Sequence, residues 1–212
     1  MNTRRTGRAS ACREHVDALA ASWYARAAET VARDLLGAVI TSTIDDVVTA
    51  GRIVETEAYV GPHDDASHAA ERIGRTHRND AMYGTPGIAY VYRIYGIHWC
   101  LNVVTNRIDY PAAVLVRAVE PLAGIEHMRA RRTAGQKRLP DTSLTNGPGK
   151  LAAAFGITGH LNEHPLDRPP LYITAGERLP DAAVTSGPRI GITRAADWPL
   201  RFWQSDSAWV SR

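Results

Sequence analysis

An α+β fold in one domain is what this sequence predicts, and three observations lead there. Apolar residues recur at helical spacing before residue 36 and in later, shorter stretches. Runs of β-branched and aromatic residues, bounded by glycine, proline and aspartate, fill much of the rest. No internal repeat and no linker-like stretch divides the 212 residues, a length that suits one sizeable core.

Taken in order, residues 1–10 are basic and read as a disordered leader, with a single domain expected over 11–212. Between residues 10 and 36, Val16, Leu19, Trp23, Ala27, Val31 and Leu35 are spaced for helices packed on a core. Gly37 would close the second of them as a left-handed cap. Residues 38–44 read as a strand, and Asp45-Asp46 as a turn into a longer strand over 47–59. Gly61-Pro62 breaks the chain before His63-Asp-Asp-Ala-Ser-His68, which looks like the start of a short helix capped by an aspartate. After a polar, basic stretch and a turn at Pro86-Gly87 comes the strongest hairpin signal, residues 88–94 leading through Tyr95-Gly96 into 97–104. Residues 112–119 form an apolar strand carrying Arg117, and 124–132 look helical. Gly147-Pro-Gly-Lys150 opens a helix through Phe155, and short strands are expected at 171–174, 189–193 and 200–204.

Composition narrows the class. Hydrophobic residues at 44% and charged ones at 22% are ordinary for a globular chain, and a net charge of +3 leans towards anionic partners such as nucleic acid. Cys12 and Cys100 are too far apart in sequence for a metal-type pair and too few for a disulfide scaffold, so a reduced, intracellular setting is expected. Neither a signal peptide nor an apolar run long enough to span a bilayer is legible.

Chemistry concentrates around residues 51–59. On a strand, Glu55, Glu57 and Tyr59 share one face while Val54, Thr56 and Ala58 share the other. Read alone, two carboxylates one pleat apart fit a solvated edge; with more around them they fit a floor where a base meets an aromatic platform. Tyr95 at a hairpin tip has no core to pack on, and is either a surface residue or a wedge for a stacked duplex. Register decides the rest of the hairpin. A two-residue turn puts Tyr92 opposite Trp99 and sends Asn102 to the other face. A three-residue connection puts Tyr92 opposite Cys100 and Tyr90 opposite Asn102. Arg117, in an apolar strand, must be paired or line a polar cavity.

Other clusters are weaker. His63, Asp64, Asp65 and His68 include metal-ligand types without a metal-site spacing, and an aspartate cap with His63 exposed is the simpler account. Gly147-Pro-Gly-Lys150 lacks the features of a nucleotide phosphate loop, though its N–H groups can meet a phosphate at the helix start. Arg129, Arg131, Arg132, Lys137 and Arg138 read as a solvated face that would add non-specific affinity on a DNA-binding protein.

Several segments together carry a family likeness: Arg52-Ile-Val-Glu-Thr-Glu-Ala-Tyr59, Ala66-Ser-His68, Tyr90-Val-Tyr-Arg-Ile-Tyr-Gly96, Leu115-Val-Arg-Ala-Val-Glu-Pro121 and Gly147-Pro-Gly-Lys-Leu151. Pro188-Arg-Ile-Gly-Ile192 and Pro199-Leu-Arg-Phe202 extend it. In order and spacing the chain resembles the alkyladenine (3-methyladenine) DNA glycosylase family from about Tyr24 onward. The resemblance implies a curved antiparallel sheet flanked by helices with a protruding β-hairpin. It further implies a monomeric enzyme without metal or other cofactor that acts on double-stranded DNA inside the cell and releases damaged purines: 3-methyladenine, 7-methylguanine and hypoxanthine.

Matched residue by residue, the resemblance makes Glu57 the general base that activates water. Arg117 helps hold that water and the flipped nucleotide, and the Ile192 backbone carbonyl faces the same water. Tyr59, His68 and Tyr92 form the base pocket, Asn102 crowds the 2-amino group of normal guanine, and Tyr95 is the intercalating wedge. Ile97 and His98 follow in positions that line the minor groove. Glu55 is expected as a support or surface group, and no lysine beside Glu57 points to a Schiff-base lyase. Two competing readings are a metal-dependent hydrolase built on His63, Asp64 and His68, and a DNA-binding protein without catalytic activity.

Overall fold

β-Branched and apolar residues alternate through the middle of the chain, and the strands they form build a single antiparallel sheet. The computed structural model describes residues 17–133 and 139–211. The expected leader, Cys12, Val16, Lys137 and Arg138 lie outside the described residues. Two short helices, α1 (Ala21–Tyr24) and α2 (Ala28–Asp34), precede β1 (Val39–Ser42) and the eleven-residue β2 (Thr49–Tyr59). The hairpin β3 (Ala89–Ile94) and β4 (His98–Val104) leads to β5 (Ala113–Ala123), α3 (Ile125–Thr133) and α4 (Pro148–Phe155). The short strands β6 (Asp167–Arg168), β7 (Leu171–Thr174), β8 (Val184–Gly187) and β9 (Arg201–Gln204) complete the described strands.

The sheet is curled, and its strands run in the order β3-β4-β5-β2-β1-β7-β6, every pair antiparallel. A fork opens at β2, whose first half pairs with β1 and whose Glu55, Thr56 and Glu57 pair with β9. Two offsetting irregularities mark the fork. Ile53 lies opposite Val119, Glu55 opposite Ala118 and Thr56 opposite Val116, so Val54 and Arg117 are each an extra residue on their strand. Such bulges sharpen local twist and re-aim side chains.

One face of the sheet takes the helices. Val31, Leu35, Leu101, Val103, Val114, Val116, Leu151 and Phe155 are fully buried there, and the Thr56 hydroxyl donates to the Ala32 carbonyl of α2 at 2.8 Å. The opposite face, which carries Tyr59, Tyr90, Tyr92, Asn102 and Arg117, stays open in its middle.

Three expectations are corrected. Residues 63–68 form turns and no helix, because the Asp64 carboxylate accepts from the Val60 and Ala66 N–H groups and pairs with Arg189. Residues 189–193 are not a strand: the Ile190 N–H is spent on Glu57, and Gly191 turns the chain at φ +76°. The strand in that region is β8, just before. The α3 arginines are not a solvated face either. Arg129 donates to the Leu139 carbonyl, Arg131 to those of Ile44 and Ala154, and Arg132 to that of Leu144, which ties α3 to its surroundings. Among the described residues no helix is long and apolar enough to cross a membrane.

Candidate active site

The hairpin register is the three-residue alternative. Ile94 pairs with His98, which leaves Tyr95, Gly96 and Ile97 as the connection. Tyr92 then lies opposite Cys100 and Tyr90 opposite Asn102. Tyr95 and Gly96 take φ values of 53° and 69°; glycine adopts that region freely, and a tyrosine there is held by the turn around it. Asn102 in turn lies opposite Leu115, and Glu57 on β2 opposite the same Leu115, so three neighbouring strands aim one set of side chains at one space.

That space is a cavity of about 270 Å³. Tyr59, Tyr92 and His68 line it with Asn102, Arg117 and Ile192. The His68 and Tyr92 rings meet edge to face at 4.4 Å, and His68 Nδ1 is bonded to the Tyr90 hydroxyl at 2.9 Å. Burial, and after it the nearby Arg78, lowers the His68 pKa to about 4, so the ring is neutral at neutral pH. Burial raises Tyr90 to about 12 and carries Tyr92 further up, and it keeps the Cys100 thiol protonated. The Asn102 amide donates to the Tyr90 carbonyl at 3.1 Å, which fixes its orientation.

Glu57 is not among the residues that line the cavity: it is fully buried next to Tyr59 and has three donors. Arg117 Nη1 lies 3.0 Å from Oε1, the Ile190 N–H donates to the same oxygen at 2.7 Å, and the Tyr59 hydroxyl donates to Oε2 at 3.0 Å. All three partners donate, which is the set an ionised carboxylate accepts. Burial, then the Glu57 charge, pushes the Tyr59 phenol far above its ordinary range, so it remains a donor. For Arg117, burial opposes the charge, but Glu57 and Glu55 outweigh it and raise its pKa.

Glu55 is buried as a support group. It accepts from Arg117 Nε at 2.9 Å, Arg201 Nε at 2.7 Å, and the Ser211 N–H and hydroxyl at 2.6 and 2.7 Å. Three of these donors converge on Oε1 and one on Oε2, so both oxygens are engaged in holding β5, β9 and residue 211 together. Ser211, Arg201, Arg189 and Ile190 are the residues that sequence reasoning missed. The rule applied to Arg117, that an arginine in an apolar run needs a partner, would have flagged Arg189 and Arg201 as well.

At the rim, Tyr95 is 84% exposed and Ile97 65% exposed on the hairpin connection. Exposed His98 follows, packed against the start of α4, where Gly149 leaves room for it. His63, Asp64 and His68 do not converge. Asp64 is consumed by Arg189, His68 faces the cavity, and His63 lies near Trp198; among the described residues no group of three such side chains is placed to hold a metal ion.

A buried carboxylate bonded to Tyr59, beside a cavity lined by aromatic rings, is a layout suited to hydrolysis at a ring-shaped group. The comparison with known sequences agrees. The methylpurine-DNA glycosylase family pattern matches residues 22–208, and the chain belongs to that family. It is therefore a DNA glycosylase, a hydrolase of N-glycosyl bonds that acts on DNA in repair. Among its relatives, a Myxococcus xanthus protein is 46% identical over 194 residues, 90% of this chain and 92% of its own. One from Methanoculleus marisnigri is 46% identical over 197 residues, 92% and 98% of the two chains. A third, from Rhodopseudomonas palustris, is 48% identical over 189 residues, 89% and 88%. All three are provisionally named 3-methyladenine DNA glycosylases.

Proposed function

We propose that this protein excises alkylated purines, 3-methyladenine and 7-methylguanine, together with hypoxanthine, from duplex DNA by a water-mediated, metal-free reaction. It acts as a monomer, and residues 11–212 form its one glycosylase domain. The observation that carries this reading is Glu57, a fully buried carboxylate held by Arg117, Ile190 and Tyr59, three residues that themselves line the cavity.

A damaged nucleotide leaves the stack at a cost of a few kcal/mol and its base enters between Tyr59 and Tyr92. Tyr95 fills the vacated step. A cavity of about 270 Å³ is just under the roughly 300 Å³ at which pockets for drug-sized ligands begin, which suits a single purine. Methylation at N3 or N7 makes the base cationic. Neutral His68 does not repel it, and each tyrosine face adds roughly 0.5 to 2 kcal/mol of attraction. Asn102, fixed by Tyr90, excludes the 2-amino group of intact guanine. The sugar then passes through an oxocarbenium-like state, stabilised by the Glu57 charge, and Glu57 takes the proton of the water that attacks C1′. Arg117 and the Ile192 carbonyl hold that water.

The test is Glu57→Gln, assayed for single-turnover release of 3-methyladenine and hypoxanthine without added metal. Lesion binding persists and excision falls by about 10²- to 10⁴-fold. Excision at the wild-type rate would remove Glu57 from the role.

A further inference from the structure

The ion pair that none of this chemistry uses is the most deeply buried one among the described residues. Asp64 and Arg189 have side chains at zero exposure and meet through both terminal guanidinium nitrogens and both carboxylate oxygens, the Nη2–Oδ1 arm at 2.8 Å. A two-pronged pair of this kind fixes direction as well as distance. The Arg189 fork also donates to the Ala58 carbonyl on β2 at 3.0 Å, and its guanidinium carbon lies 4.7 Å over the Tyr59 ring. Asp64 accepts in addition from the Val60 and Ala66 N–H groups, two residues short of His68. One ion pair thus joins the end of β2, the turn that bears His68 and the loop that bears Ile190 and Ile192.

The very next peptide bond after Arg189 supplies the 2.7 Å N–H donor to Glu57. A loop peptide that satisfies a buried carboxylate must be held still by something, because a loop without strand pairing has few ladder bonds of its own. Here the anchor is one residue away. We propose that the Asp64–Arg189 pair is the positioning device of the hydrolytic site, holding the Ile190 N–H against Glu57. The proposal rests on the reading of Glu57 as the base.

Other charged or titratable groups face Glu57 too: Arg117 on β5, Glu55 and Tyr59 on its own strand, Arg201 opposite it on β9 and Cys100 on β4. None of them touches Asp64 in the described contacts, and of them Tyr59 alone meets the pair, through the Arg189 guanidinium over its ring. An ionised carboxylate that loses a donor is easier to protonate. In Asp64→Asn the anchor loosens and the acid limb of the single-turnover excision rate moves to higher pH by about one unit, the equivalent of one charge-assisted hydrogen bond. At the acid end this reads as a roughly tenfold slower reaction, with lesion-DNA binding within about threefold of wild type.

Replacing the residue 190 peptide N–H by an ester oxygen deletes the donor itself. It produces the same shift, and combining it with Asp64→Asn adds nothing further, because both act through one bond. Should Asp64→Asn fail to fold, Arg189→Lys keeps the buried charge balance while losing the fork and carries the same test. The proposal is overturned if folded Asp64→Asn or Arg189→Lys keeps the wild-type acid limb, or if the two changes add. An unmoved limb in an enzyme that still requires Glu57 sinks only the positioning role; wild-type excision by Glu57→Gln sinks the underlying reading.

Discussion

His68 enters the cavity as a neutral ring, and pH exposes the cost of that choice. Its folded pKa near 4 lies below the ordinary 6.5, so between those values the unfolded chain binds more protons than the folded one. The stability this contributes is complete above pH 6.5 and is lost as pH falls towards 4. Over that window the shift is worth about 3 kcal/mol. Wild type should therefore lose about 3 kcal/mol more than His68→Gln between pH 7 and pH 4 in urea unfolding; equal losses would show that His68 is not desolvated in the folded state. At this scale the sequence was legible where neighbours on a strand alternate. Glu57 and Tyr59 share a face, as the pleat requires, and Arg117 has the carboxylates that an apolar strand obliges it to find. Which residues Arg189 and Ser211 pair with was not legible, because those partners lie 125 and 156 positions away and no local pattern announces such a contact.

The hairpin shows what one residue of turn decides. Its three-residue connection brings Tyr90, Tyr92, Cys100 and Asn102 to a single face, and sequence left that choice open because Tyr95-Gly96 suits either turn. The same turn holds Tyr95 out at 84% exposure, away from any core. Tyr95→Ala should thus leave stability within about 0.5 kcal/mol of wild type. Excision from a fully paired duplex should fall about tenfold or more, and from a mispaired lesion by less, since an already loosened base costs less to extrude. Equal losses on both substrates would mean that Tyr95 does not act on the flipping step. Strands β2 to β5 were readable because burial on one face imposes period two. Residues 63–68 and 189–193 misled because their backbone groups bond to side chains, Asp64 and Glu57, that lie outside any helix or ladder.

Across the whole molecule the sheet separates stability from chemistry. Its helix-covered face is apolar apart from such contacts as Thr56 to Ala32, while the other face carries the buried charges. The fork at β2 makes this possible: the bulges at Val54 and Arg117 release β2 from β1 and hand Glu55 and Glu57 to β9. Nothing in the alternation of the sequence marks that exchange, since each strand reads as regular by itself. Leu101 and Asn102 are adjacent on β4 yet belong to opposite faces, one in the core and one in the cavity. Leu101→Ala removes fully buried apolar volume and should cost about 2–5 kcal/mol in urea unfolding. Because that volume lies behind the sheet, the folded variant should excise within about threefold of wild type at 25 °C, since a packing defect that leaves the Glu57 donors in place does not alter the barrier they set. A loss of excision approaching that of Glu57→Gln in a folded Leu101→Ala would mean that the two faces are mechanically coupled and that the cavity owes its shape to the core behind it.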